Sequence, residues 1–156
     1  MAVEIERKYL VKDDRWRASA SPGAPMRQGY LAVTDRSAIR VRLEGGAALL
    51  NIKQATLDIR RDEFEYPIPA DDAESILTGL CVGHIIEKTR YEVVHEGFTW
   101  EIDVFHGVNE GLTVAEVELD AEDAAPPLPP WAGVEVSLDA RYLNANLAIH
   151  PYQEWS

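Results

Sequence analysis

The strongest constraint on the fold is a set of charged residues that recur at every second position. Near the start of the chain, Glu4, Glu6 and Lys8 alternate with apolar Val3 and Ile5. Because successive side chains of a β-strand point to opposite faces, this spacing predicts a strand with one ionic face and one apolar face. The ionic face must then meet either water or a ligand.

The same alternation continues along the chain and predicts a mainly β (α+β) fold. Short Gly-marked turns such as Glu44-Gly45-Gly46 join many of the segments, which favours antiparallel pairing. The seven further predicted strands are 28–33, 37–43, 49–54, 60–67, 85–94, 98–105 and 113–120. Apolar spacing predicts one helix opening at Pro69, and Asp139 is predicted to cap a second that runs to Ala148. We expect residues 1–156 to form one domain.

Charge and cysteine content limit the classes of partner. The chain carries 15 basic and 27 acidic residues, a formal charge of -12, which opposes binding to nucleic acid or an anionic membrane. An anionic ligand therefore needs a local basic cluster. The lone Cys81 cannot form an internal disulfide, the chain starts on a charged strand, and no run approaches the roughly eighteen apolar residues of a spanning helix. These features predict a cytoplasmic protein.

The alternating charges are sorted by sign along the chain. A solvated sheet face would produce the same alternation, but such faces usually mix signs because like charges repel. Here the basic pairs are Arg40/Arg42 and Lys88/Arg90, and the acidic pairs are Glu63/Glu65, Glu101/Asp103 and Glu116/Glu118. This sorting favours a ligand site that neutralises both signs.

Carboxylates and cations on one surface can bind a divalent metal and a polyanion together. Carboxylate oxygens favour Mg²⁺ or Mn²⁺, and His84, His95, His106 and His150 show no ligand spacing. If the ionic faces turn inward, the apolar faces need an outer cover. We therefore predict an eight-stranded antiparallel closed barrel with a charged lumen and with helices packed outside.

The ordered motifs resemble the CYTH superfamily, the triphosphate tunnel metalloenzymes. Glu4-x-Glu6-x-Lys8 is similar to the ExExK signature of that family, and the paired charges follow in the family's order along nearly the whole chain. The closing segments 141–144 and 150–152 resemble the compact bacterial branch, whose members are similar to inorganic triphosphatases. The resemblance implies an eight-stranded tunnel that binds a triphosphate with two Mg²⁺ or Mn²⁺ ions.

The resemblance also implies roles for individual residues. Substrate-binding residues would be Lys8, Arg40, Arg42, Lys53, Lys88, Arg90 and Tyr30, although a packing role for Tyr30 is the alternative. Metal ligands would be Glu4, Glu6, Glu101, Asp103, Glu116 and Glu118. Catalytic residues would be Lys53, Lys88, Glu63 and Glu65, with both glutamates orienting the lysines or binding metal through water.

The expected reaction is hydrolysis of inorganic tripolyphosphate to pyrophosphate and phosphate. Three alternatives use an organic triphosphate: thiamine triphosphatase, nucleoside triphosphatase and class IV adenylyl cyclase. A noncatalytic polyphosphate or nucleotide binder remains a further alternative, with a monomer or homodimer as the expected assembly.

Overall fold

The computed structural model describes residues 2–155. Within that range the strands are β1 (Val3–Val11), β2 (Ala24–Val33), β3 (Ser37–Glu44), β4 (Ala47–Gln54), β5 (Arg60–Ile68), β6 (Val82–His95), β7 (Phe98–Phe105), β8 (Thr113–Glu118) and β9 (Ala132–Glu135). The helices are α1 (Ala70–Gly79) and α2 (Asn144–Ile149), with short 3-10 turns at Arg15–Ser19, Gly107–Asn109, Ala140–Tyr142 and Tyr152–Glu154. Among the described residues, neither α-helix nor any 3-10 turn is long and apolar enough to cross a membrane.

The strands close into an antiparallel barrel, as predicted. Their order is β5-β4-β3-β2-β6-β7-β8-β1, and β5 also pairs with β1. This closing contact is short, since it joins only Val3–Ile5 of β1 to 60–62 of β5. Beyond it the same edge of β1 pairs with β9, a strand that the sequence did not predict. This contact closes the barrel, but among the described residues it pairs the outer edge of β5 only at 60–62 and leaves 63–68 of that edge without a strand partner.

Two apolar clusters cover the outside of the barrel. Val41 and Ala48 pack beneath α1, where Ala73 and Leu77 are buried, and burying a side chain such as Leu77 contributes about 2 kcal/mol. A second cluster forms around Trp100 on the other side. There Trp16 and Trp131 belong to segments that lie over the sheet, and the Trp100 and Trp131 ring centroids are 5.7 Å apart in an edge-to-face arrangement. The apolar faces therefore point outward, as the alternation predicted.

A third apolar cluster lies at one end of the barrel and changes the prediction that both helices pack outside it. Ile86, Phe105 and Val114 share a strand face with the luminal charges, yet they pack with Leu147 and Ala148 of α2. α1 packs outside as predicted, whereas α2 closes an end of the barrel from within.

The predicted helix from Asp139 to Ala148 is interrupted, so its predicted extent is wrong. Leu143 has extended dihedral angles (φ -65°, ψ 133°), which separate a 3-10 turn from α2. Asp139 caps the turn by accepting a hydrogen bond from the Arg141 amide. The interruption lets Asn144 begin α2 beside the lumen.

Candidate active site in the barrel lumen

The barrel encloses a charged cavity of about 460 Å³. Residues from all eight barrel strands and the C-terminal segment line it. Every site residue predicted from the sequence lines this cavity except Asp103: Glu4, Glu6, Lys8, Tyr30, Arg40, Arg42, Lys53, Glu63, Glu65, Lys88, Arg90, Glu101, Glu116 and Glu118. The sorted charges thus face one enclosed space.

Strand register decides which charges become neighbours. Glu6 lies opposite Glu118 across β1 and β8, and Lys8 lies opposite Glu116 in the same pair of strands. Directly opposite residues in an antiparallel pair are about 4.5–5.5 Å apart at Cβ, close enough for their charges to interact strongly. The Lys8 Nζ to Glu116 Oε1 distance is 3.6 Å. Acidic and mixed pairs therefore adjoin along one wall.

The opposite wall carries cations that lack carboxylate partners. Arg40 and Arg42 of β3 are 7% and 9% exposed, and neither forms an ion pair within 4.0 Å in the part of the chain that the structure describes. Burial, followed by repulsion from Arg40 and Arg90, lowers the pKa of Arg42 to about 10. An anion in the lumen would relieve that repulsion.

On the acidic wall, the buried charges that repel one another are negative. Burial, together with the negative charges of Glu116 and Glu4, raises the pKa of Glu6 well above its usual range. Burial also raises the pKa of Glu4, although Lys53, 3.3 Å away, opposes that shift. Extra positive charge near β1 would stabilise both ionised groups.

Asp103 does not line the cavity but lies behind its wall. Its oxygens accept hydrogen bonds from Lys88 Nζ at 2.8 Å and from Arg90 Nε and Nη2 at 2.8 and 2.9 Å. The Asp103 residue is fully buried, with 0% exposure. Both carboxylate oxygens are thus already engaged, so Asp103 orients two luminal cations from behind.

The pKa of the Lys88 amine lies close to neutral pH. Burial lowers the pKa of the Lys88 amine to about 7, and the attraction of Asp103 only partly offsets that effect. The amine also donates to Asn144 Oδ1 at 3.1 Å. Small changes of charge in the lumen will therefore change its protonation.

Sequence reasoning missed three residues that line the cavity, Arg61, Asn51 and Asn144, and one that lies behind its wall, Gln28. Arg61 lines the cavity 3.7 Å from Glu4, and its position two residues before Glu63 on the same strand face could have revealed it. Asn51 donates to Glu63 and Glu65, both at 3.1 Å. Gln28 and Asn144 carry no charge, so the search for alternating charges could not find them.

The carboxylates that line the lumen are candidate ligands for a divalent metal. Among residues 2–155, no three His, Cys, Asp or Glu side chains are already gathered in a geometry that could hold an ion. The donors nevertheless match Mg²⁺ or Mn²⁺ in kind, because they are carboxylate oxygens. Burial, followed by repulsion from Glu116 and Glu4, raises the pKa of Glu6, and a cation would oppose that shift. The carboxylates of the lumen therefore fit such an ion by their donor chemistry.

Comparison with known proteins agrees with this architecture. The CYTH domain family profile matches residues 2–149. The inorganic triphosphatase of Acetivibrio thermocellus is 44% identical over 155 residues, covering 99% of each chain. The inorganic triphosphatase of Nitrosomonas europaea is 38% identical over 150 residues, covering 94% of this chain and 97% of that one.

Solved structures show the same fold. The crystal structure of the inorganic triphosphatase NE1496 has a TM-score of 0.66 at 37% identity and covers 94% of this chain and 97% of its own. The PH1012 protein from Pyrococcus horikoshii OT3 has a TM-score of 0.61 at 16% identity, covering 77% of this chain and 80% of its own, which supports the fold alone. The family match and the near full-length relatives establish that this chain belongs to the CYTH domain family.

Proposed function

We propose that this protein is a metal-dependent inorganic triphosphatase that hydrolyses tripolyphosphate to pyrophosphate and orthophosphate in the barrel lumen. The observation that carries the proposal is the enclosed cavity in which unpaired Arg40 and Arg42 face paired carboxylates. The names of the two curated relatives support the same substrate. A carboxylate wall beside a phosphate would be repulsive unless a cation lay between them.

In this proposal the cations hold the phosphate chain. Arg40 and Arg42 would each bind two oxygens with the guanidinium fork. Arg90 already donates to Asp103 and Glu101 and would bind phosphate through its remaining donors, while Lys8, Lys53 and Lys88 would act as point charges. Tyr30 would contact the substrate from the side, since it lines the cavity next to Arg40 in strand register. Arg61 joins this set as a luminal cation.

The acids divide into two groups. Glu4, Glu6, Glu101, Glu116 and Glu118 would hold Mg²⁺ or Mn²⁺, with two ions as the proposed number. Asp103 is better assigned to orienting Lys88 and Arg90, because both its oxygens already accept hydrogen bonds from them.

Glu63 and Glu65 would position their neighbours in the lumen. Glu63 lies 3.3 Å from Lys53, and Asn51 bonds both glutamates. Burial raises the pKa of Glu63, but Lys53 and Asn51 outweigh it and leave the pKa below its usual value. Glu63 therefore stays ionised and holds Lys53 in place.

The reaction breaks one phosphoanhydride bond. A bound divalent ion would neutralise phosphate charge and lower the pKa of the attacking water. The water oxygen bonds to a terminal phosphorus, the bridging P–O bond breaks, and its electron pair leaves with pyrophosphate. Lys53 and Lys88 would stabilise that leaving group, and the released proton passes to phosphate or solvent. No covalent enzyme intermediate is needed.

A substrate panel tests the proposal. Phosphate release from tripolyphosphate, ATP and thiamine triphosphate is compared with Mg²⁺, with Mn²⁺ and with EDTA, and cyclic AMP is measured in parallel. We expect tripolyphosphate to have the highest kcat/KM and EDTA to abolish release. Faster turnover of an organic triphosphate would refute the inorganic assignment, and metal-dependent binding without products would indicate a noncatalytic binder.

The setting is also part of the proposal. We place the reaction in the cytoplasm, where the single Cys81 would remain reduced, and we propose a monomer or homodimer.

A further inference from the structure

Two neutral amides join two of the luminal cations: Asn144 lines the cavity, and Gln28 lies buried behind its wall. Arg42 Nε donates to Gln28 Oε1 at 3.2 Å, and Gln28 Nε2 donates to Asn144 Oδ1 at 2.7 Å. Lys88 Nζ donates to that same Asn144 oxygen at 3.1 Å. A continuous chain of hydrogen bonds therefore runs from Arg42 to Lys88.

We propose that Gln28 and Asn144 are positioning residues that aim the Arg42 guanidinium and the Lys88 ammonium at bound phosphate without neutralising either cation. This inference rests on the proposed function, because it describes how the same lumen holds its substrate. It assigns a role to two uncharged residues that no charge pattern singles out.

The position of Gln28 follows from strand register. Gln28 of β2 lies directly opposite Arg42 of β3, and its side chain is fully buried at 0% exposure. The Gln28 oxygen engages the Nε of Arg42, and among residues 2–155 neither terminal nitrogen of that guanidinium donates a hydrogen bond, so both can bind a ligand. A guanidinium fixed at Nε presents its fork in one direction, which suits two oxygens of a phosphate.

Asn144 fixes the direction of the Lys88 ammonium, as Gln28 does for the Arg42 guanidinium. An ammonium has three donors, and Lys88 gives one to Asp103 and one to Asn144. The third is left for a ligand. Asn144 supplies an acceptor without negative charge, whereas a carboxylate there would attract Lys88 and repel phosphate.

The fold holds Asn144 in place from both sides. Before it, the Tyr142 carbonyl accepts a hydrogen bond from Lys8 Nζ at 3.0 Å. After it, Leu147 of α2 is completely buried at the end of the barrel. The amide therefore has a defined direction, which a positioning residue needs.

The test compares variants by tripolyphosphate affinity, measured by calorimetry in EDTA, together with kcat, KM and Tm. Gln28→Leu and Asn144→Ala should each weaken affinity about tenfold, because the cations lose their orientation. Asn144→Asp keeps the acceptor oxygen, so its Tm should match the wild type. Its affinity should still fall about tenfold or more, because the added charge opposes phosphate. Wild-type affinity in Asn144→Asp would overturn the proposal.

A second background separates positioning from general packing. Arg42→Met removes the guanidinium that Gln28 orients and leaves only the hydrogen bond from Gln28 to Asn144, so adding Gln28→Leu should cause a further loss of affinity well below tenfold. A full tenfold further loss in that background would show that Gln28 does not act through Arg42 and would overturn its role.

Asn109→Ala provides the matched control. Asn109 Oδ1 accepts a hydrogen bond from the Tyr152 amide at 2.8 Å. This contact holds the C-terminal segment in place but does not touch the lumen. This variant should lower Tm and keep wild-type affinity. A loss of affinity equal to that of Asn144→Ala would overturn the proposal.

The two proposals can fail separately. If the wild type releases no phosphate from tripolyphosphate, the proposed hydrolysis is wrong. The affinity comparison in EDTA does not depend on turnover, so it still decides whether Gln28 and Asn144 position the cations.

Discussion

Lys88 and Asp103 form a 2.8 Å ion pair in which each side chain is 1% exposed. The pair spans β6 and β7 and lies directly beside the cavity that Lys88 lines. Asp103 is thus enclosed in the barrel wall, although residue alternation places it on the same strand face as Glu101. Its removal would leave Lys88 and Arg90 without their shared partner.

Asp103→Ala should therefore cost about 3–5 kcal/mol of unfolding free energy, because it leaves the buried Lys88 without its ion-pair partner and removes two of the hydrogen bonds of Arg90. Urea denaturation at neutral pH measures the change. Asp13→Ala is the control, since the Asp13–Arg15 pair lies on the surface, where solvent screens its charges, and its loss should change the unfolding free energy much less. Equal losses in the two variants would contradict the assignment of Asp103 as a buried partner.

Lys88 should take up a proton when tripolyphosphate binds. Its pKa of about 7 rises when a polyanion lies beside the amine, so at higher pH the complex binds a proton that the free protein lacks. Affinity in EDTA should consequently fall as pH rises from about 7 to about 9.

Calorimetry in buffers of different ionisation enthalpy measures this proton uptake. Lys88→Met is the control for protons exchanged by the ligand itself. Identical uptake in Lys88→Met and the wild type would exclude Lys88 as the source.

Glu6→Gln should stabilise the metal-free protein while impairing the enzyme. The raised pKa of Glu6 means that its stabilising contribution is complete below the unfolded value and is lost as pH rises through the folded one. Near neutral pH, removing the charge should therefore raise Tm in EDTA by a few degrees, for a gain of about 1 kcal/mol.

Added Mg²⁺ should raise the wild-type Tm more than that of Glu6→Gln, and turnover of the variant should fall. Thermal denaturation with EDTA or MgCl₂ checks both expectations. The exposed Glu110→Gln should behave as wild type in each assay. A lower metal-free Tm in Glu6→Gln would contradict the predicted repulsion.

Gly83→Ala should loosen the segment that closes the barrel. Gly83 has φ +68°, and a Cβ there would lie 2.5 Å from the carbonyl oxygen of Ala148 in α2. Gly45 has φ +60° with no atom within 4 Å of such a Cβ, so Gly45→Ala reports backbone strain alone, about 1–2 kcal/mol. We expect Gly83→Ala to lower Tm clearly more than Gly45→Ala. Equal Tm values would show that α2 yields freely at this point.

Residue alternation predicted much of this site. The spacing of Glu4, Glu6 and Lys8 assigned them to one face, and the structure puts all three on the cavity. Outer residues such as Trp100 and Val41 are buried by covering segments, in agreement with an inverted barrel. The same rule, applied one step further along β5, would have included Arg61.

What the sequence by itself determined is the face of each strand on which a side chain lies, because the period of two is a local property of an extended backbone. Only the tertiary structure decided that Asp103 is enclosed in the wall, that Gln28 meets Asn144, and that α2 closes one end of the lumen. These outcomes depend on pairing and packing between residues far apart in the chain, and alternation within single strands carries no information about such contacts.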